Sequence, residues 1–273
     1  MGRRNFFDKL VRTIDFQKEY QKIESLVLQP HSFHGYSIED DIERYFKNWK
    51  YNANYLSFKE LRDQLGFTFE RDGYYDMPSG IIKDVNDFFD YCEMIINMIV
   101  FLPEEEAEYH GNKVNEIIRL INYDLNYFNH EIKKVDDKYL IVQKDAAVSE
   151  VVELVEPLLA DSILEYNHYL LKGDLEKKKN ILVKIANALE PKRPEINELN
   201  KQLCSDYFYL INNMNIRHNN CDKTDVGKYN EKFDILKSEE KEEWYDDIFQ
   251  MSLLIYLLLE NKKNISKIKY FKQ

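Results

Sequence analysis

Met251-Ser252-Leu253-Leu254-Ile255-Tyr256-Leu257-Leu258-Leu259 is an apolar run broken by a single serine, and the acid-rich opening Ser238-Glu239-Glu240-Lys241-Glu242 stands a turn or two before it. A serine at an N-cap accepts a hydrogen bond from the first-turn amides, and carboxylates just after it suit the positive end of the helix dipole. The pair of features predicts a helix that starts near Ser238 and becomes apolar on every side. Such a helix has to be enclosed by others, so the run predicts a helical bundle with this segment at its centre. It is far shorter than the roughly 20 residues needed to cross a bilayer. The run Met94 to Leu102, stopped by Pro103, reads in the same way.

Working outward, the 273 residues are 44% hydrophobic and 14% aromatic, enough to build one large core or two modest ones. Only eight Gly and six Pro occur, too few for the tight turns of an extensive sheet. The fold class expected is therefore mainly α, one or more helical bundles with one short β-hairpin near residues 132–142. That hairpin is read from Ile132–Val135 and Tyr139–Val142, two short apolar-rich runs around Asp136-Asp137. The twenty Tyr and sixteen Phe fall largely at helical spacing and are read as packing.

Helices are expected over Phe6–Val27, from Ser37 to about Asn52, from Ser57 to Gly66, and over Gly80–Leu102 and Asn112–Asn129. Between the third and fourth, Phe67–Ser79 with Gly73 and Pro78 is read as a loop, and Glu104-Glu105-Glu106 as an acidic connection. Past the hairpin, helices are expected over Ala146–Leu171, broken or kinked at Pro157, over Asp174–Leu189 after Gly173, and from Glu195 to about Asn215. The chain thus divides into an N-terminal helical region, 1–131, suited to sensing or partner binding, a hairpin connection, 132–145, and a C-terminal helical domain, 146–273.

A net charge of −11 argues against non-specific coating of nucleic acid, which rests on Lys and Arg neutralising phosphates. Local basic groups remain at Lys177-Lys178-Lys179, at Lys192-Arg193 and along Asn261–Gln273, the last read as a frayed terminus. Cys92, Cys204 and Cys221 form no metal-ligand spacing and no disulfide framework, which suits a reducing cytoplasm. The opening Met1-Gly2-Arg3-Arg4-Asn5-Phe6 has no apolar signal core and no lipidation pattern, so a cytoplasmic protein without membrane attachment is expected. His31-Ser32-Phe33-His34 and Glu104–Glu106 lack further ligands at useful spacing, so no metal and no cofactor are assigned. Phosphate-cradling Gly-rich loops and a Gly-x-Ser-x-Gly elbow are missing as well.

The stretch with most chemical content is Asn212-Asn213-Met214-Asn215-Ile216-Arg217-His218-Asn219-Asn220. Arg217 offers a permanently charged fork of donors, and His218 can take or give a proton near neutrality. Cleavage of RNA by its own 2′-hydroxyl needs a base, an acid and a cation on the crowded phosphate, and no metal. The neighbouring asparagines, Asn213, Asn219 and Asn220 among them, can orient the imidazole or hold phosphate and sugar oxygens. Consecutive helical side chains point about 100° apart, so Arg217 and His218 can serve one site only at a helix end or across a subunit seam. The competing reading is structural: Asn residues cap the helix, and Arg and His answer its last carbonyls and dipole. Asp222 and Asp225 would then be partners for the two side chains.

A helix ending in this stretch, followed by a polar loop and an apolar last helix, resembles proteins of the HEPN superfamily, most of all its abortive-infection relatives in phage defence and toxin systems. The resemblance covers roughly Ala146–Leu259 and includes Lys172-Gly173-Asp174-Leu175-Glu176-Lys177-Lys178 and Trp244-Tyr245-Asp246-Asp247. It implies an all-α bundle, commonly a homodimer, and in many members a metal-independent endoribonuclease built on an Arg and a His. On that footing Arg217 and His218 are the catalytic residues, Asn213, Asn219 and Asn220 support them, and RNA, tRNA included, is the partner. The family's pattern puts His a few residues after Arg, whereas here the two are adjacent and no later His exists. A non-catalytic interaction or regulatory module of a defence system is the alternative.

Overall fold

The computed structural model describes residues 14–30, 35–72 and 75–271, and over these the protein is mainly α-helical. The expected helix onset at Phe6 and the His31–His34 segment lie outside the described residues. The chain forms two compact units, residues 1–130 and 131–273.

In the first unit α1 (Phe16–Leu28) is capped by Asp15, and α2 (Ile38–Tyr45) begins with a reciprocal capping box between Ser37 and Asp40. A 3₁₀ turn at Phe46–Asn48 ends it somewhat earlier than the Asn52 expected. Helix α3 (Phe58–Leu65) starts on the Ser57 cap and stops at Gly66, whose φ is 83°. That is the left-handed conformation that a helix terminus uses and that glycine adopts without a Cβ clash. The segment expected as a loop is instead a hairpin. Its strands β1 (Phe69–Asp72) and β2 (Tyr75–Pro78) are antiparallel, with Phe69 opposite Pro78 and Asp72 opposite Tyr75. The strands are too short and too polar to show an alternation, and Pro78 sits at the strand end where its missing N–H costs no ladder bond.

Helix α4 (Val85–Phe101) is the apolar helix the sequence predicts, and it buries Phe88, Phe89, Cys92, Ile95 and Met98. The acidic connection is in fact a short helix, α5 (Glu104–Tyr109), opening behind Pro103, and α6 (Gly111–Tyr127) follows. A charged cluster lies inside this unit. The fully buried Arg62 donates to the Phe67 carbonyl at 3.0 Å, to Glu39 at 2.6 Å, and to Glu24. Tyr91 donates its hydroxyl to the other oxygen of Glu24 at 2.6 Å. One guanidinium so joins α1, α2 and α3 to each other and, through Tyr91, to α4.

The second unit opens with the expected hairpin, β3 (His130–Val135) and β4 (Lys138–Gln143), turning at Asp136 with φ 55°. Helix α7 (Ala146–Val152) ends before Pro157, which becomes the first residue of α8 (Pro157–Tyr166), so the proline breaks the expected long helix outright. Asp174 caps α9 (Leu175–Leu189), as the sequence predicts. Helices α10 (Arg193–Leu199) and α11 (Lys201–Asn213) replace the single helix expected there. The extended Asn200 between them accepts from the Leu203 amide and caps the second. After the short α12 (Glu231–Asp234), helix α13 (Ser238–Phe271) carries the apolar run, and its helical span covers most of the tail expected to fray.

Helix α13 packs against α7, α9, α10 and α11. Ile248, Phe249, Leu253, Ile255 and Tyr256 of that helix are buried, and Phe249 stacks on Tyr166 of α8 at 4.0 Å. Among the described residues no helix is long and apolar enough to cross a membrane.

Candidate functional site

Helix α11 ends at Asn213, so the Arg-His pair lies just beyond the helix, where adjacent side chains are freed from helical divergence. The terminus is closed by asparagines. Asn215 takes φ 57° and so turns the chain back. This left-handed conformation is one that Asn tolerates better than most residues. The Arg217 amide then donates to the Ile211 carbonyl at 3.1 Å.

Asn215 and Asn220 brace the turn reciprocally. The Asn215 amide donates to Asn220 Oδ1 at 2.8 Å, and the Asn220 amide donates to Asn215 Oδ1 at 3.1 Å. Asn220 Nδ2 donates to the Lys228 carbonyl at 2.6 Å, and Asn230 Nδ2 to the Asn213 carbonyl at 2.8 Å. Both ends of the polar loop are thereby tied to the end of α11.

The predicted site residues separate into two groups. Arg217 and His218 are partly exposed and Asn219 is exposed, so these three form the accessible surface of the turn. Asn220 has no exposed surface and its amide is engaged inside, so it supports the turn and cannot itself touch RNA. Asn213 donates back along its own helix to the Tyr209 carbonyl at 2.8 Å.

The expected partners of Arg217 need correction. Asp222 accepts from the amide and hydroxyl of Thr224, and Asp225 lies 3.7 Å from Lys228. Arg217 Nη1 pairs instead with Glu190 Oε2 at 2.8 Å, across 27 residues of sequence. Glu190 Oε1 is 3.4 Å from Arg193 Nη1, so one carboxylate stands between two guanidinia. All three side chains keep between 26% and 52% of their surface exposed, which leaves the cluster reachable by a ligand. For His218 no ring hydrogen bond to a described residue is present.

Glu190 and Arg193 also line a cleft of about 660 Å³, shared with Lys201, Asn197 and Ser205. The Arg193 guanidinium lies over the Phe208 ring at 4.6 Å, which fixes the cation at the cleft wall. Beneath the Arg217–Glu190 pair, Tyr207 is completely buried, and burial pushes its phenol well above the ordinary range. Sequence reasoning marks Lys192-Arg193 as a basic spot but carries no signal linking it to Arg217. Only the return of α11 alongside α10 brings them together.

The two other stretches that carried the resemblance have a structural task. Lys178, which is buried, pairs with Glu242 at 2.7 Å and Asp246 at 2.6 Å, and Tyr166 donates to Asp246 at 2.9 Å. The Gly173 amide donates to Glu242 at 2.7 Å, completing a latch between the start of α9 and α13. Among the described residues no group of three or more His, Cys, Asp or Glu is placed to hold a metal ion. No family model matches the chain, no curated protein matches it significantly, and no solved structure does.

Proposed function

We propose that this protein is a metal-independent endoribonuclease of HEPN type, acting as an anti-phage or toxin effector, with Arg217 and His218 as its catalytic pair. The observation that carries the reading is that both side chains are partly exposed on one braced turn at a helix end, where Arg217 pairs with Glu190, a residue that lines the cleft holding the further cations Arg193 and Lys201. The sequence resemblance points the same way.

In the reaction, the 2′-oxygen attacks the adjacent phosphorus and the bond to the 5′-oxygen breaks, leaving a cyclic phosphate and a 5′-hydroxyl. His218 removes the 2′-hydroxyl proton or protonates the departing oxygen, and the second copy of a homodimer supplies the other proton transfer. Arg217 has Nε and Nη2 left as donors while Glu190 holds Nη1, and these meet the charge that builds on the phosphate. Asn219, exposed beside the pair, hydrogen-bonds sugar or phosphate oxygens.

A second reading has an observation of its own. Arg217 is already paired with a carboxylate, as a helix terminus serving only as scaffold would have it, and this favours a non-catalytic interaction module. Metal-free incubation of wild type, Arg217→Ala and His218→Ala with total RNA and tRNA separates the two. The nuclease reading expects cyclic-phosphate ends from wild type and a loss of at least about 100-fold in each variant, with unchanged circular dichroism. A folded wild type that cuts no RNA supports the module instead.

A further inference from the structure

Glu190 stands where the Arg217 turn meets the neighbouring cleft. It closes α9 and opens the 3₁₀ turn Glu190–Lys192. Pro191 behind it restricts the backbone, so the side chain is the part left to move. Of the described residues that line the cleft, Glu190 alone is anionic, beside Arg193 and Lys201. The nearby acids Glu195 and Glu198 pair with Lys262 of α13 instead. Arg217 is not among the lining residues and meets the cleft through its 2.8 Å bond to Glu190. The second oxygen of the same carboxylate lies 3.4 Å from Arg193, whose guanidinium is set over the Phe208 ring. A carboxylate and a phosphodiester offer a guanidinium the same kind of paired anionic oxygens. Glu190 therefore occupies the place that a phosphate shared by the two arginines would take.

We propose that this place is a subsite for the phosphate next to the one being cleaved, and that Glu190 is its resident competitor. The inference rests on the nuclease reading for its ligand, RNA, and names the residue that makes the site select a chain of phosphates over a single one. With the scissile phosphate on Nε and Nη2 of Arg217, the adjoining phosphate takes Nη1 of Arg217 and the Arg193 guanidinium, and the Glu190 side chain swings out. All three side chains are partly exposed, so the pairs are weakly held and opening them leaves no buried charge behind. A lone phosphate competes poorly, because the carboxylate is tethered at the site and acts there at a high effective concentration. A polynucleotide also brings phosphates to Lys201 and sugar oxygens to Asn197 and Ser205 in the same cleft. Those linked contacts offset the displacement of Glu190.

Metal-free titration of the full chain, wild type and Glu190→Gln, tests this with two ligands: inorganic phosphate, and a short 2′-O-methyl oligoribonucleotide that keeps its phosphates and lacks the attacking hydroxyl. Wild type is expected to bind the oligonucleotide far better than phosphate. Removing one negative charge beside a bound phosphate should tighten both ligands by about fivefold or more in Glu190→Gln. Adding Arg193→Ala to that variant should cancel the gain. Cleavage of unmodified RNA gives a readout that a loosened turn would not produce, a KM lowered by about the same factor with kcat unchanged. Affinity that is unchanged or weaker in a folded Glu190→Gln, or a gain that survives Arg193→Ala, would overturn the proposal. Tighter binding of both ligands with no cleavage by any form would keep the phosphate subsite and remove the nuclease reading, so the two failures are told apart.

Discussion

Asn220 and Asn219 are neighbours of the same type with opposite fates. Asn220 is completely buried and its amide closes the turn in both directions, whereas Asn219 faces solvent. Replacing Asn220 by Ala leaves the Asn215 amide and the Lys228 carbonyl without their partner, at a cost of about 1–3 kcal/mol. Asn219→Ala removes no internal bond and is expected to leave the melting temperature unchanged. Denaturant unfolding of the two variants checks the contrast, and equal losses would show that the turn is not braced by Asn220. At this scale the sequence is legible in type but not in task. An asparagine run says that the backbone turns and that amides are at hand. Which amide points inward depends on the left-handed Asn215, a conformation no pattern of residue types announces.

At the scale of elements, caps and breakers are the most legible features. Ser37, Ser57 and Asp174 each start a helix, and Gly66 ends one, because these residues act through their own backbone and the next few amides. Asn200 is not legible in this way, since a single cap inside an apolar-periodic stretch competes weakly with the period around it. The β1–β2 hairpin is hidden for the converse reason: four-residue strands carry too little pattern to outweigh Gly73 and Pro78. Arg62 shows how elements are joined by a partner set that local sequence does not reveal. It is the buried counter-charge of Glu24 and Glu39, on two other helices. Arg62→Ala strands two carboxylates in the interior and is expected to destabilise the first unit by about 3–5 kcal/mol. Thermal unfolding of that variant measures it, and a loss under about 1 kcal/mol would mean that water or a shifted chain reaches the carboxylates.

At the scale of the molecule, the second unit has a buried cluster drawn entirely from its own residues, from Val135 to Leu259. A fragment spanning Glu131–Gln273 is therefore expected to fold alone and to melt in one cooperative transition. Calorimetry and far-ultraviolet circular dichroism decide this, and a broad, non-cooperative melt would mean that its core needs the first unit. The amino-acid sequence by itself determined the helical class, the place of the hairpin at 132–142 and the last helix with its apolar run Met251–Leu259, because propensity, caps and apolar periodicity act over one or two turns of chain. The run is not enclosed on every side as expected, since Leu254 is exposed. The tertiary structure alone decided that Glu190 holds Arg217 and that Arg193 and Lys201 line the neighbouring cleft. These depend on which distant elements come side by side, and that is set by the packing of whole helix faces, not by any short run of residues.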